Sequence, residues 1–497
     1  MEEFCKYDCL EACNGSAEMS APSSPSFTAS FEPRSANEEM IEILHDIRLL
    51  NPADGRYFFP NDKVHRLLDS NRIRGILINC KIETYEVDEV ATFIIGHARN
   101  VFAILLLIDI PQYIIHFTKS DDQPRGGFDS KLPLDVESLQ SLLGDHLAAR
   151  KFYDIQWGFV APVFSISSST MILPQESVLP FLEEEHLGEG NSGTVHRIEI
   201  ARTFQHLGLR PGQQLVRKEL SAHRKEAEFN TELRNLTILK SLRHPNIVEI
   251  LCSYTHGGKH NFIFPLAQGG TLAKMMRLPR CKALDTDSGL LLATSGLCSA
   301  IAAVHQQHSD DGVLIGIGYH HDLKPNNILV HEGNFLLADF GLSEFKDASE
   351  DSVTSYKGVG GCYVAPECYD IAEKDATDEK KNVGRASDIW SLGCILMELL
   401  VYMRDGPKAV DRFEDERCFR VGPLVYHRFH HGATEPEPVV VARLAQLRDQ
   451  ARKKPMQLFV DLVARMLRLD PRNRPNAEEV DRTMRSAALL ALAEPTT

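Results

Sequence analysis

A short polar stretch, GYHHDLKPNNILV at residues 318–330, brings together a carboxylate, an ammonium and an amide in Asp322, Lys324 and Asn327. Its pattern is that of a helix end, a tight loop and the start of a strand. In phosphoryl transfer, Asp322 would accept the proton of an attacking hydroxyl, Lys324 would neutralise the phosphoryl group, and Asn327 would bind Mg²⁺ through its amide oxygen. An ordinary polar turn has the same composition, so this stretch alone leaves both interpretations open.

A second carboxylate follows in LLADFGLSEF, where Asp339 is placed to chelate a metal ion that bridges phosphate groups. Mg²⁺ is a hard, doubly charged cation that binds oxygen ligands. We therefore predict that Asn327 and Asp339 are magnesium ligands.

A run of glycines, followed by Val195, lies between the strand-like stretches EEHL and TVHRIEI. A dinucleotide-binding fold would need a helix after the glycines, and here a strand pattern continues instead. The context favours a hairpin whose backbone amides close over phosphates, although a plain glycine-rich hairpin fits the run taken alone. The predicted phosphate-binding residues are Gly188, Glu189, Gly190, Asn191, Ser192, Gly193 and Val195.

Lys218 lies inside the apolar strand-like stretch LVRKEL, where a lysine ordinarily faces solvent. Its functional alternative is to reach the first two phosphates of a nucleotide, a role that needs a carboxylate to hold the ammonium in place. The helical stretch that follows offers Glu226, Glu228 and Glu232. We therefore predict that Lys218 is a nucleotide ligand with a glutamate partner.

The stretch NFIFPLAQGGTL has the pattern of a hinge between two lobes. Phe264 is expected at the back of the cleft, and the backbone of Pro265 and Ala267 is expected to pair with an adenine edge. Pro265 has no N–H group and supplies only its carbonyl oxygen, which is all that this position requires.

The composition of the 497-residue chain, 43% hydrophobic and 25% charged, is that of an ordinary globular protein. Its formal net charge of −15 argues against a nucleic-acid or anionic-membrane binder. The longest apolar run, VFAILLLI at residues 101–108, is far shorter than the roughly 20 residues of a membrane span, and we expect a buried strand or core helix there. The polar N-terminal stretch has no secretory pattern, so we expect a cytoplasmic or nuclear protein with free thiols.

The sequence divides into three parts by pattern. Residues 1–37 are predicted to be a disordered tail, because residues 14–37 are rich in Ser, Pro and Ala and have little to bury. Residues 38–180 are predicted to form an extension, mixed α/β or helical, of unknown function. Residues 181–490 begin with strands and continue with helices, which predicts an α+β fold with a small sheet-rich lobe, a larger helical lobe and a cleft between them.

The order and spacing of these motifs are more specific than any one of them. Residues 181–490 resemble a eukaryotic-type protein kinase catalytic domain. The stretches YHHDLKPNNIL, ADFGLS, APECYD and SDIWSLGC are most similar to those of serine/threonine kinase-like proteins of filamentous fungi. The resemblance implies a two-lobed kinase fold and the transfer of the γ-phosphoryl group of ATP, with Mg²⁺, to Ser or Thr hydroxyls of protein substrates.

The resemblance also implies roles for single residues. Lys218 matches the lysine that anchors phosphates, Asp322 matches the catalytic base, and Asn327 and Asp339 match the magnesium ligands. Other residues match positions with structural roles. His320 matches a histidine that shapes the catalytic loop, and Asp388 matches an aspartate that holds the backbone of that loop. Glu367 and Arg474 match an ion pair of the large lobe.

Three positions depart from the family pattern. His321 replaces the arginine that in many members binds an activation-loop phosphate, and a neutral imidazole cannot make that bidentate contact. The usual spacing gives Asn235 where a glutamate is expected, so Glu232, nearly one helical turn earlier, is the predicted partner of Lys218. Gly360 stands where a threonine usually contacts the catalytic loop.

These departures leave a second hypothesis open, a catalytically weak or inactive pseudokinase that acts as a nucleotide-binding scaffold. A third hypothesis, a small-molecule or lipid kinase, is disfavoured by the combination of DLKPNNIL, APE and SDIWSLGC. The expected partner is a protein substrate, with no nucleic acid and no membrane span, and the sequence does not identify the substrate or the oligomeric state.

Overall fold

A computed structural model gives the structure of the chain. It describes residues 36–120, 126–190, 193–210, 212–220, 226–308, 311–350, 353–355, 361–368, 382–421, 424–431 and 435–494. The tail predicted at 1–37 lies almost entirely outside the described residues, so its disorder stays a prediction, as does the division of the chain at residues 38 and 181.

The described residues before Trp157 form mainly helices around an apolar core of their own. The helices are α1 (Ala36–Ile47), α2 (Asn61–Leu67), α3 (Ser70–Asn79), α4 (Thr84–His97), α5 (Arg99–Leu107), α6 (Ile114–Thr118), α7 (Val136–Leu143) and α8 (His146–Gln156). Two short strands, β1 (Leu49–Leu50) and β2 (Tyr57–Phe58), pair antiparallel. The apolar run of residues 101–108 lies mainly in α5, which is buried along most of its length, as expected of a helix that is apolar all round.

Aspartates fix where several of these helices begin. Asp69 Oδ1 accepts hydrogen bonds from the backbone N–H groups of Asn71 and Arg72 in the first turn of α3. Asp145 caps α8 in the same way. These N–H groups have no partner within the helix, so each cap stabilises the first turn.

A six-stranded sheet forms the small lobe, and its strands lie in the order β4 (Thr170–Ile172), β9 (Cys252–His256), β10 (Lys259–Pro265), β8 (Leu215–Leu220), β6 (Gly193–Ile200) and β5 (Phe181–Gly190). Two further short strands, β3 (Phe164–Ser165) and β7 (Gln205–His206), form a parallel pair. Neighbours in the six-stranded sheet are antiparallel except β4, which pairs parallel to β9 and comes from the predicted extension. Helix α9 (Glu226–Leu242) packs on one face, where the rings of Phe229 and Phe262 stack with centroids 5.1 Å apart.

The large lobe is mainly helical. Its helices are α10 (Leu272–Met275), α11 (Asp287–His305), α12 (Ala386–Asp405), α13 (Pro407–Glu416), α14 (Pro438–Gln450), α15 (Lys454–Met466) and α16 (Ala477–Ala493). A three-stranded sheet contains β11 (Gln307–His308), β12 (Leu314–Tyr319) and β15 (Glu344–Asp347). The other strands form the pairs β13 (Ile328–His331) with β14 (Asn334–Leu337), β16 (Val353–Ser355) with β17 (Asn382–Gly384), β18 (Phe419–Val421) with β19 (Leu424–Tyr426), and β20 (His430–His431) with β21 (Glu435–Pro436).

Two helices of the described residues, α11 and α12, are long and apolar enough to cross a membrane by length and composition, and the bent pair α4–α5 is a further candidate. In α12, 89% of the apolar window is buried inside the protein, and in α11 the share is 61%. Both contribute to the main core, which also holds α15 and α16. The predicted α+β fold with a sheet lobe and a helical lobe is confirmed.

Candidate active site

Lys218 is the centre of an ionic triad that joins the small-lobe sheet, helix α9 and the segment after β14. Its Nζ atom is 2.7 Å from Oε1 of Glu232 on α9 and 2.9 Å from Oδ1 of Asp339. The exposed fractions of the side chains are 11% for Lys218, 1% for Glu232 and 24% for Asp339. Because little water reaches these charges, their attraction is stronger than at an exposed site.

Lys218 and Asp339 keep their charges at neutral pH. Burial acts to lower the pKa of the Lys218 ammonium, but Asp339 and Glu232 outweigh it and raise that pKa above its usual value. Burial likewise acts to raise the pKa of Asp339, and Lys218 reverses this, so the pKa of Asp339 lies below its usual value. Lys218 is therefore an ammonium and Asp339 a carboxylate at pH 7.

Helix α9 presents Glu232 and Asn235 to different partners. Glu232 meets Lys218, whereas Asn235 Nδ2 donates hydrogen bonds to the backbone carbonyl oxygens of Phe340 and Ser343, at 3.0 and 2.8 Å. The glutamate that the sequence favoured as the partner of Lys218 is the one that the fold brings to it. Asn235 instead connects α9 by hydrogen bonds to the backbone of the segment that follows Asp339.

The residues of the opening motif meet in the loop between β12 and β13, so the helix end predicted before this loop is wrong and a strand precedes it. Lys324 Nζ is 2.7 Å from Oδ2 of Asp322, and Asn327 Nδ2 donates to the backbone oxygen and to Oδ2 of Asp322 at 2.8 and 2.9 Å. These bonds orient the Asp322 carboxylate and leave Oδ1 of Asn327 as the amide atom that can bind a cation. The Asp322 and Lys324 side chains are 27% and 37% exposed, so they are open to a substrate.

Asp388, near the start of α12, holds the backbone of this loop. Its Oδ2 accepts a hydrogen bond from the N–H of His320 at 2.8 Å, and its Oδ1 accepts one from the N–H of His321 at 3.0 Å. His305 Nε2 lies 3.0 Å from the same Oδ2. Burial acts to raise the pKa of Asp388, but the bond to His305 and nearby histidine charge lower it below its usual value. The ionised carboxylate stabilises His321, whose φ of 66° is strained for a residue other than glycine.

His321, in the place of the usual arginine, turns its ring into the protein. The ring is stacked on Tyr319, with centroids 5.5 Å apart and planes 11° from parallel. Only 7% of the residue is exposed. Gly360, the other departure from the family pattern near this loop, lies outside the described residues.

The predicted phosphate-binding glycines lie at the tip of the β5–β6 hairpin. Gly190 pairs with Gly193, and Gly188 pairs with Val195. Val195 in turn pairs with Lys218 on β8, so the β6 strand just after the hairpin tip lies next to the lysine. The fold brings the glycine run and Lys218 to one site.

Gly193 cannot be replaced at this tip without moving the backbone. Its φ is 140°, and a Cβ atom there would lie 2.0 Å from the carbonyl oxygen of Glu219. Glu189 lies in the same hairpin, opposite Thr194. Asn191 and Ser192, both predicted to bind phosphates, lie outside the described residues.

The predicted hinge follows directly from β10. Pro265 is the last residue of that strand, and the N–H of Leu266 donates to the carbonyl oxygen of Gln214 at 2.8 Å. Phe264 packs against the main core, and Ala267 is buried. The segment therefore connects the sheet lobe to the helical lobe beside β8, the strand that carries the triad lysine.

Comparison with known proteins agrees with this geometry. A family model described as the protein kinase domain matches residues 181–483, which is more than half of the chain. The chain belongs to the protein kinase family. The prediction of a protein kinase catalytic domain is confirmed, and the closer likeness to kinases of filamentous fungi stays a prediction.

Several protein kinases of different organisms are similar to this chain. Cyclin-dependent kinase 7 of Dictyostelium discoideum is 28% identical over 310 residues, which are 60% of this chain and 76% of the relative. CBL-interacting protein kinase 5 of Oryza sativa subsp. japonica is 37% identical over 169 residues, 34% of this chain and 32% of the relative. Serine/threonine-protein kinase PKH3 of Eremothecium gossypii is 29% identical over 231 residues, 44% of this chain and 28% of the relative. The chain thus spans less than two thirds of the length of the second and third relatives.

The large lobe of this protein kinase contains the predicted pair of Glu367 and Arg474. Two parallel contacts, Nη1 to Oε1 and Nη2 to Oε2, are both 2.7 Å long. The Arg474 guanidinium also lies 5.1 Å from the ring centroid of Trp390. A bidentate pair of this kind fixes both the distance and the orientation of its partners.

The large lobe of the kinase contains a second charged cluster, which the sequence patterns did not predict. Arg417 Nη2 lies 2.7 Å from Oε1 of Glu398 on α12, and the Tyr363 hydroxyl donates to Oε2 at 2.9 Å. The Arg417 guanidinium lies 3.8 Å from the ring centroid of Phe429. Burial raises the pKa of Glu398 above its usual value, although Arg417 acts to lower it. A glutamate inside the apolar stretch LGCILMELL was the available signal for a buried charged partner.

Proposed function

We propose that this protein kinase transfers the γ-phosphoryl group of ATP to Ser or Thr hydroxyls of protein substrates. The observation that carries the proposal is the oriented loop of Asp322, Lys324 and Asn327 beside the triad of Lys218 and its carboxylates. The serine/threonine specificity is supported by a relative that is named as a serine/threonine-protein kinase.

In this proposal, Asp322 accepts the proton of the substrate hydroxyl, because its carboxylate is oriented by Asn327 and open to solvent. Lys324, 2.7 Å from that carboxylate, neutralises the transferring phosphoryl group. Lys218 holds the phosphates of ATP. Catalysis then consists mostly of positioning and charge neutralisation, as in other phosphoryl transfers.

The proposed magnesium ligands are Asn327 and Asp339, and their chemistry fits a hard cation. Lys218 keeps Asp339 ionised, and the hydrogen bonds of the Asn327 amide nitrogen leave its oxygen available. The N–H of Ala338 donates to the carbonyl oxygen of Asn327 at 2.9 Å, which keeps the two ligands next to one another. Held by Asn327 and Asp339, Mg²⁺ would supply positive charge that offsets the charge of the phosphates.

The remaining ATP contacts are proposed from the fold of the small lobe. The backbone amides of the β5–β6 hairpin, at residues 188–195, cover the phosphates. The carbonyl group of Pro265 and the backbone of Ala267 pair with the adenine edge. The support is the proximity of the hairpin to Lys218 and of the hinge to β8.

We further propose a catalytic domain at residues 181–490, an accessory extension at 38–180, and action in the cytoplasm or nucleus. The formal net charge of −15 argues against a nucleic-acid partner. The burial of α11 and α12 supports a core role for these helices and not membrane spans. The free cysteines of the described residues support a reducing compartment.

The test is transfer of label from radioactive ATP to casein and to the protein itself. Asp322→Asn should lower the rate at least a hundredfold, about 2.7 kcal/mol of barrier, while melting with and without ATP should still show nucleotide binding. Asp449→Asn, an exposed residue of α14, is the matched control and should behave as wild type. A wild type that binds ATP but transfers no label would contradict the proposal and favour the pseudokinase.

A further inference from the structure

The small-lobe sheet is covered on both faces. One face contacts α9 and carries Lys218. We call the other the outer face; it holds apolar side chains of β5, β6, β8, β9 and β10. An antiparallel sheet can leave one face in water, but the outer face is closed, since Leu215 is 2% exposed and Tyr254 and Ile263 are 0% exposed. The apolar strand residues that share this cluster are Phe181, Ile198, Ile200, Leu215, Cys252, Tyr254 and Ile263.

The cover of the outer face comes in large part from residues that precede the kinase domain. The Phe164 ring has its centroid 5.4 Å from that of Tyr254 and 6.0 Å from that of Phe181. Phe58 makes an edge contact with Phe204 at 5.4 Å. The buried members supplied by the extension are Phe58, Trp157, Ala161, Phe164, Val178 and Leu179.

Adjacent phenylalanines connect this cover to the helical core of the extension. Phe58 belongs to the outer-face cluster, whereas Phe59 stacks on Phe159 in the helical core with centroids 4.2 Å apart. The N–H of Phe59 also donates to the carbonyl oxygen of Gly158 at 2.8 Å. A Cβ atom on Gly158 would lie 2.7 Å from the carbonyl oxygen of Tyr57, so the close contact of these two segments requires glycine.

The extension also continues the sheet itself. Strand β4 pairs parallel with β9 and becomes the outermost strand on that side. Two backbone hydrogen bonds extend this pairing. The N–H of Ser167 donates to the carbonyl oxygen of Leu251 at 3.1 Å, and the N–H of Leu173 donates to the carbonyl oxygen of Thr255 at 2.9 Å. The extension is therefore joined to the small lobe by a hydrogen-bonded strand as well as by apolar packing.

Arg217 connects the outer face to the nucleotide side of β8. Successive side chains of a strand point to opposite faces, so Arg217 lies on the outer face and the next residue, Lys218, lies on the inner face. Arg217 Nη2 is 2.5 Å from Oε1 of Glu184, and its guanidinium lies 6.0 Å from the ring centroid of Phe181. Phe181 packs in turn against Phe164 of the extension. A continuous set of contacts thus leads from the extension to the residue beside Lys218.

We propose that residues 36–180 act as an intramolecular brace, which by covering the outer face fixes strand β8 and therefore the position of Lys218 relative to Glu232 and Asp339. The partner that fits the outer face is the chain's own N-terminal part. The kinetic consequence rests on the proposed nucleotide role of Lys218, whereas the structural consequence does not.

The test uses the full chain with Phe58→Ala, which removes an extension side chain from the outer-face cluster and none from the nucleotide site. Amide hydrogen exchange should become at least tenfold faster in β8 and β10 and stay unchanged in α12 and α15. The KM for ATP should rise at least fivefold. Tyr85→Ala, in the same extension but 80% exposed on α4, is the control and should match wild type in both measurements.

A second variant keeps the test decisive if Phe58→Ala does not fold. Arg56→Ala removes hydrogen bonds to the carbonyl oxygens of Glu176 and Ser177, at 2.6 and 2.8 Å, and should give smaller changes in the same direction. Exchange in β8 equal to that of wild type would overturn the brace. Faster exchange with an unchanged KM would overturn its role in positioning Lys218. Because exchange needs no catalysis, a wild type without phosphoryl transfer would count against the proposed function alone.

Discussion

Lys218 Nζ on β8 and Glu232 Oε1 on α9 lie 2.7 Å apart, so the position of the helix is part of the proposed nucleotide site. Glu232 is 1% exposed, so contacts within the protein, among them the bond to Lys218, replace the water around its carboxylate. A displacement of α9 would break the ion pair and separate the buried charges of Lys218 and Glu232. The ion pair therefore stabilises one position of α9 relative to the sheet. In that position the Lys218 ammonium points toward Asp339.

We expect Glu232→Gln to raise the KM for ATP about tenfold, roughly 1.4 kcal/mol of binding free energy. The amide keeps the shape of the glutamate but not its charge, so Lys218 is drawn toward Asp339 alone. Steady-state kinetics with varied ATP would measure this. Glu226→Gln, an exposed first-turn residue of the same helix, should leave the KM as it is. Equal effects of the two substitutions would show that the pair has no special role.

The pH dependence of the triad follows from the direction of its pKa shifts. The pKa of Asp339 lies below its usual value, so its contribution to stability is present above about pH 4 and is lost as the pH falls through the folded pKa. The pKa of Lys218 lies above its usual value, so its contribution is present below about pH 10 and is lost as the pH rises through the folded pKa.

The measurement is the midpoint of thermal unfolding of wild type and Asp339→Asn as a function of pH. The difference between the two should be constant from about pH 5 to about pH 9 and should shrink below about pH 4. Asp449→Asn should show no difference from wild type at any pH. A difference that changed steeply near pH 7 would mean that another group titrates in the triad.

The site was predictable where the signals are local. Asp322, Lys324 and Asn327 lie so close in the chain that one tight loop brings them together. The spacing of the family pattern, together with the length of a helical turn, was enough to favour Glu232 over its neighbours as the partner of Lys218. The glycine run indicated a hairpin because strand patterns stand on both sides of it.

Contacts between distant parts of the chain were not predictable. No local sequence pattern predicts that the Phe58 ring contacts Phe204. Nor does one predict that Arg417 is the partner of Glu398. Apolar periodicity shows that a residue is buried but not which partner buries it. The sequence therefore indicated an extension at residues 38–180 without its attachment to the small-lobe sheet.

The buried pair of Glu398 and Arg417 gives a test of stability. Arg417→Met should destabilise the kinase by about 3–5 kcal/mol, because Glu398 is left buried with an uncompensated charge. The double variant that adds Glu398→Leu should recover most of that loss, since it removes the charge as well. Chemical denaturation would measure both, with Arg412→Met, exposed on α13, as the control.

The pH dependence of Arg417→Met provides a second check on the same pair. The pKa of Glu398 is already above its usual value, and without Arg417 it should rise further. A carboxyl whose folded pKa is raised is stabilised by protonation, so the variant's stability should increase as the pH falls from about 7.5 to about 5.5. A deficit that did not change over this range would contradict a buried, charged Glu398.

Thr354 lies in β16 and pairs with Val383 of β17, and only 2% of it is exposed. His321 has its ring against Tyr319, and an imidazole cannot make the bidentate phosphate contact that the usual arginine makes. We therefore expect the kinase to be active as synthesised, with no phosphate on this segment. Phosphatase treatment and Thr354→Val should each leave the rate of peptide phosphorylation within about twofold of the untreated wild type.

Thr354→Glu should instead lower the rate at least tenfold, because a carboxylate at this buried position must either lose its hydration or break the β16–β17 pairing. Ser349→Glu is the matched control. Ser349 is exposed and its hydroxyl donates to Asp347 Oδ1 at 2.6 Å, so a charge there stays in water and should change the rate little. If phosphatase alone lowered the wild-type rate a hundredfold, about 2.7 kcal/mol of barrier, a phosphate would be required to order this segment and constitutive activity would be wrong.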